Sequence, residues 1–190
     1  LSAAARPLKK ARFDTTHPQV TDAKLLSSNA ALNADEYPGY QLARLTDTVT
    51  LEFETDERVL NPTAKINEQL VTVAPRAGDS SGTKWQAVYA VSIPEEGEAV
   101  DVDSVSFEIV SLNDPAGNAL GATSNNTATT DTSKVRIDLS NPKVTDARLL
   151  SSNAAVNPAE YQGYKLARAT DQVTLEFETD ERVLNPVAKI

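Results

Sequence analysis

Carboxylates and carboxamides are the groups with chemistry to offer in this chain, because its 190 residues include no cysteine, no methionine and a single histidine. A catalytic triad or a histidine general base would have to use His17. That residue stands beside Pro18, and its counterpart in a second copy of the segment is Asn141, so it reads as a hinge residue open to solvent. Paired carboxylates occur in "ETDER" (Glu54, Asp56 and Glu57, repeated as Glu178, Asp180 and Glu181). A glycosidase pair would need one of them in an apolar cleft that raises its pKa. They stand instead where an alternating segment runs into a turn, the commonest place for solvated charge. No phosphate loop, nucleophile elbow or histidine-containing metal motif is present. The sequence therefore predicts a protein that is not an enzyme.

Acidic oxygens can also hold a hard cation. The net charge is −9 and the pI about 4.6, a balance that disfavours nucleic acid and anionic lipid and favours ions such as Ca2+. Calcium takes roughly six to eight oxygens from carboxylates, Asn side chains and carbonyls that converge from flexible segments. Three groups qualify. At the joint between copies, Asp138 of "RIDLSNP" is expected to meet Asp146 or Asp180, and Asp14 holds the corresponding place one copy earlier, with Asp22 and Asp56 as co-ligands. "LNDPAGN" offers Asn113, Asp114 and Asn118, and "DVD" offers Asp101 and Asp103. The competing reading is a plain β-turn, in which Asp accepts hydrogen bonds from backbone amides two residues on.

Placing these groups requires the repeat. Residues 17–66 match residues 141–190 at an offset of 124, with 39 of 50 identical. "VTDAKLLSSNAAL" at Val20 returns as "VTDARLLSSNAAV" at Val144. The match extends leftwards, where "ARFDTTHP" from Ala11 lines up with "VRIDLSNP" from Val135. A tandem array follows: residues 1–17 as the tail of a preceding repeat, 18–140 as one complete repeat, and 141–190 as the N-terminal part of a second. The missing methionine suggests a fragment or processed product of something longer. No apolar run reaches the roughly 18 residues of a membrane span.

Alternation supplies the strands. "DTVTLEFET" puts Val49, Leu51 and Phe53 on one face, "TKWQAVYAVS" does the same with Trp85, Ala87, Tyr89 and Val91, and "DSVSFEIVSL" with Val105, Phe107 and Ile109. Further strands are predicted at Gln19–Leu26, Ala64–Ile66, Leu70–Val73 and Lys134–Asp138, and one helical turn before Pro38. Pro62, Pro75, Pro94 and Pro115 fall at predicted strand ends, where a missing N–H does least harm. Trp85 and Tyr89 share a strand face with Ala87 and Val91 and are expected in the core, while Tyr37 and Tyr40 are expected to cap an open end of the sandwich, the alternative being surface rings that stack on sugar. This pattern predicts an all-β fold of two antiparallel sheets packed face to face.

"TDTVTLEFETDERVLNP", "KWQAVYAV", "VSFEIVSLNDPAGN" and "SKVRIDLSNPKV" together resemble the bacterial Ig-like repeats of large cell-surface and adhesin-type proteins. The resemblance implies extracellular β-sandwich modules strung in series and often stiffened by calcium at their junctions. The stretch "NAALNADEYPGYQLARL" departs from it, being longer than the usual link. The expected role is a structural spacer or stalk whose partners are neighbouring repeats or other copies of the chain, without nucleic acid or direct membrane insertion. The alternatives are a filament subunit assembled by strand complementation, and an adhesive module binding glycan or protein through the loops Ala77 to Gly82 and Leu112 to Gly121.

Overall fold

The computed structural model describes residues 11–29, 37–93, 99–153, 162–183 and 185–190. The predicted helical turn before Pro38 and the strand end at Pro94 fall mostly or wholly outside them. The described chain is all-β and sandwich-like, and none of its helices is long and apolar enough to cross a membrane, since it has none. It divides into two units, Leu1–Leu139 and Ser140–Ile190.

In the first unit, β1 (Val20–Ser27), β3 (Thr48–Thr55), β7 (Lys84–Ala90) and β6 (Val73–Pro75) form one antiparallel sheet in the order β1-β3-β7-β6. Strands β5 (Gln69–Val71), β4 (Leu60–Ile66) and β8 (Phe107–Asn113) form a second, ordered β5-β4-β8. β2 (Tyr40–Ala43) and β9 (Lys134–Ile137) pair separately. β3 shows why the sheets meet: Val49, Leu51 and Phe53 are completely buried and alternate with half-buried polar residues. They share one core with Trp85, Ala87 and Tyr89 of β7, Ala64 and Ile66 of β4, Ile109 and Leu112 of β8, and Val135 and Ile137 of β9.

Three details differ from the alternation reading. β2 and β9 run parallel, with Tyr40 opposite Lys134 and Ala43 opposite Ile137, so part of the long link is a strand and the sheets are not wholly antiparallel. Pro62 lies inside β4 rather than at its end, buried at a bulge that follows Asn61 with φ 45°. The predicted strand Leu70–Val73 is two strands, because β5 pairs with β4 while β6 pairs with β7 and the chain changes sheets at Thr72.

The second unit has β10 (Val144–Ser151) and β11 (Val173–Thr179), paired in the same register as β1 and β3, including the bulge: Val20↔Thr55 and Asp22↔Glu54 become Val144↔Thr179 and Asp146↔Glu178. Its local hydrogen bonds also recur. Ser27 Oγ donates to the Leu42 carbonyl and Ser151 Oγ to that of Leu166, both at 2.6 Å. What does not recur is burial. Val49 is 0% exposed and Val173 41%; Leu25 is 2% exposed and Leu149 54%. Residues 164–167, the counterpart of β2, form no strand.

A matched pair of substitutions checks the difference. Phe53→Ala should destabilise the first unit by about 3–5 kcal/mol in urea denaturation, the usual cost of emptying a packed aromatic site. Phe177→Ala, at the identical sequence position of the second unit, should cost less than about 1 kcal/mol. Equal costs would contradict the packing described.

Candidate functional site

The first unit is entered through residues 14–18, and these are laced to the turn after β8. Asn118 Nδ2 donates to the Asp14 carbonyl at 3.2 Å, His17 Nδ1 donates to the Ala119 carbonyl at 2.9 Å, and the Gly121 amide donates to the Pro18 carbonyl at 3.0 Å. A Cβ added at Gly121 would lie 1.7 Å from Gln19 Nε2, so the Gln19 side chain would have to move aside. On the other side, the Gln19 amide donates to Asp56 Oδ1 at 2.8 Å and the Asp56 amide returns a bond to the Gln19 carbonyl at 3.1 Å. The same bracket joins Lys143 and Asp180 in the second unit, at 2.7 and 3.1 Å. His17 is exposed as expected, yet its ring is a fastening rather than a free hinge side chain.

This lacing merges two of the sequence-predicted groups. Asp14, from the entry segment, and Asp114, from "LNDPAGN", come together with Glu57, each offering a carboxylate oxygen within 4.8 Å of the others. It is the one such acidic group among the described residues. Asp114 is 2% exposed and is satisfied within its own turn, its carboxylate accepting from the Asn118 amide at 2.7 Å and from Asn118 Nδ2 at 2.8 Å. Burial opposes its charge, and the hydrogen bonds from Asn118, Gly117 and Ala116 outweigh burial and hold its carboxyl below the usual range. Glu57 is the opposite case. Burial, and then the charges of Asp114, Asp14 and Asp56, push its carboxyl above the usual range. Its Oε1 is buried and receives no hydrogen bond among the described residues.

Glu57 was visible in the sequence only as part of "ETDER". The missing signal was Asp56: once that carboxylate is committed to the Gln19 amide, its neighbour is left to face the entry segment. The remaining candidates have other positions. Asp22 accepts a short hydrogen bond from Thr130 Oγ1. Asn113 ends β8 with its side chain exposed, and its backbone bridges to Ala119. Asp138 belongs to the first unit, where its amide donates to the Ala43 carbonyl at 2.8 Å, while Asp146 and Asp180 are exposed in the second. Asp101 and Asp103 flank Arg136, which also lies 4.4 Å from the Tyr37 ring centroid.

The aromatic and loop candidates resolve similarly. Trp85 and Tyr89 are in the core, and the Trp85 indole donates to the Gly82 carbonyl at 3.3 Å. The loop from Ala77 to Gly82 is folded on Asp79, whose carboxyl is held down at about 2, chiefly by the Ser81 hydroxyl and also by the Ser81, Gly82 and Lys84 amides. Comparison of the chain with family models, with curated proteins and with solved structures finds no match.

Opposite pKa directions in one cluster give a pH signature. Glu57, raised in the fold, adds stability below the ordinary glutamate range and loses it as pH rises through its folded pKa. Asp114, lowered, adds stability above the ordinary aspartate range and loses it as pH falls through its folded pKa. In metal-free buffer at pH 7, Glu57→Gln should therefore raise the melting temperature, and the advantage should shrink as pH falls through the ordinary glutamate range and the wild-type carboxyl takes up its proton. A variant that melts lower than wild type at pH 7 would show that the cluster is not repulsive.

Proposed function

We propose that this chain is a stretch of a non-enzymatic spacer: tandem Ig-like sandwiches forming an extracellular stalk on a large surface or adhesin-type protein, with calcium stiffening the entrance to each unit. The observation that carries the reading is the fastening of the entry segment. Residues 14–18 are bonded to the turn after β8, and the neighbouring Gln19 to the end of β3, so a hinge between successive repeats would have little free chain left to bend. The sequence repeats this arrangement at the offset of 124, with Asp138, Asn141, Pro142, Asp180 and Glu181 in the places of Asp14, His17, Pro18, Asp56 and Glu57. A module that is entered the same way each time adds a fixed increment of length, as in other quasi-linear arrays.

Calcium enters through Asp14, Glu57 and Asp114. Three carboxylates this close repel one another, and a hard divalent cation offsets that repulsion while supplying the buried Glu57 Oε1 with a partner. On this reading the site is a weak one, at about 10⁻⁴–10⁻³ M, which is filled where calcium is abundant, as outside the cell. The partners on this reading are the neighbouring repeats.

The experiment uses the chain itself. Calcium at about 100 times its dissociation constant should stabilise the first unit by about 2.7 kcal/mol, seen as a rise in melting temperature that EDTA reverses. It should also slow tryptic cleavage after the exposed Arg12, because the entry segment becomes tied down. Glu57→Gln should lose both effects. An unchanged melting temperature and an unchanged cleavage rate would overturn the calcium-stiffened spacer.

A further inference from the structure

The second unit presents β11 with one edge paired to β10 and the other unpaired among the described residues. Beside it, Val144, Ala147, Leu175, Phe177, Val183 and Val187 line an open apolar trough of about 350 Å3. The first unit shows what an identical strand takes there. β3 pairs with β7 from Thr48↔Ala90 to Glu54↔Lys84, which sets Trp85 opposite Phe53 and Ala87 opposite Leu51. On the outer face the match is electrostatic: Arg76 lies 3.1 Å from Glu52 and 3.2 Å from Glu54, and Lys84 lies 3.1 Å from Glu54. In the second unit Glu176 has only Arg148, the counterpart of Lys24, at 2.7 Å, and Glu178 has no ion pair among the described residues.

The geometry points to β11 as an acceptor edge for one kind of partner: the β6–β7 hairpin of a further repeat of this type, running antiparallel to β11. Its inward residues would be aromatic opposite Phe177 and small opposite Leu175, and its outer cations would face Glu176 and Glu178. Charge disfavours a second β11, which would set one glutamate row against another. Stoichiometry disfavours strand exchange between copies of this chain. Among the described residues there are two acceptor strands, β3 and β11, and one β6–β7 hairpin, already paired with β3, so exchanging that hairpin would open β3 in closing β11. The inference rests on the repeat geometry alone and stands apart from calcium and from location.

The probe is a synthetic peptide of residues 73–93 added to the full chain, followed by NMR titration in EDTA. The expected result is saturable one-to-one binding, with shifts confined to β10, β11 and residues 183–188. Glu178→Lys in the chain, or Lys84→Glu in the peptide, should each weaken binding by roughly tenfold, and combining the two should restore it. The first unit's melting temperature confirms that Glu178→Lys leaves the rest folded. Four results would overturn the inference: no binding at millimolar peptide, shifts in β3 instead of β11, affinity indifferent to both charge reversals, or self-association of the chain through β11 without peptide.

Discussion

Everything in the first unit depends on one constraint: the apolar row Val49, Leu51 and Phe53 must be sealed by a facing sheet. Burying side chains of this size contributes about 1.5–3 kcal/mol each, and removing neighbouring strands from water contributes the matching rows of β7, β8 and β9. Hydrogen-bonded pairing alone does not achieve this. β10 and β11 keep every backbone pairing of β1 and β3, yet their apolar residues remain partly in water. The two units therefore separate what local interactions specify from what the core adds.

Local chemistry carries a good deal. The bulge before Asp22 and Asp146, the serine bonds to Leu42 and Leu166, and the aspartates that receive the amides of Arg44 and Arg168 are the same in both units. Such features are written within short stretches, which is why alternation alone located β1, β3, β7 and β8 to within a few residues. β2 escaped because its four residues have no period of their own and become a strand only beside β9, far along the sequence. Residues 164–167, with nearly the same sequence and no such partner, form none. Pro62 was misplaced because its bulge depends on the left-handed backbone of Asn61, a conformation that Asn185 repeats.

The acidic site was legible in pieces. Asp14 and Asp114 each stand out in sequence as carboxylates beside turns, but only the folded chain brings the entry segment against the turn after β8. Glu57 could not be ranked above Asp56 from sequence, because the difference between them is which one faces the Gln19 amide. The result is a cluster whose charge is tolerated unequally: Asp114 is satisfied by its own turn, and Glu57 bears the cost of burial and repulsion. Rigid fastening and unrelieved charge thus occupy the same end of the unit, and a bound cation would act on both together.

The sealing constraint is tested most directly by native-state amide exchange, read residue by residue by NMR, at Thr50 and Glu52, whose amides face β1, against Thr174 and Glu176, whose amides face β10. The sequences Val49–Arg58 and Val173–Arg182 are identical, so their intrinsic exchange rates are the same. Protection in β3 should approach that of global unfolding, while β11 should exchange at least about a hundredfold faster. Equal protection in the two strands would contradict the account, because it would mean that pairing with β1 or β10 suffices without the facing sheet.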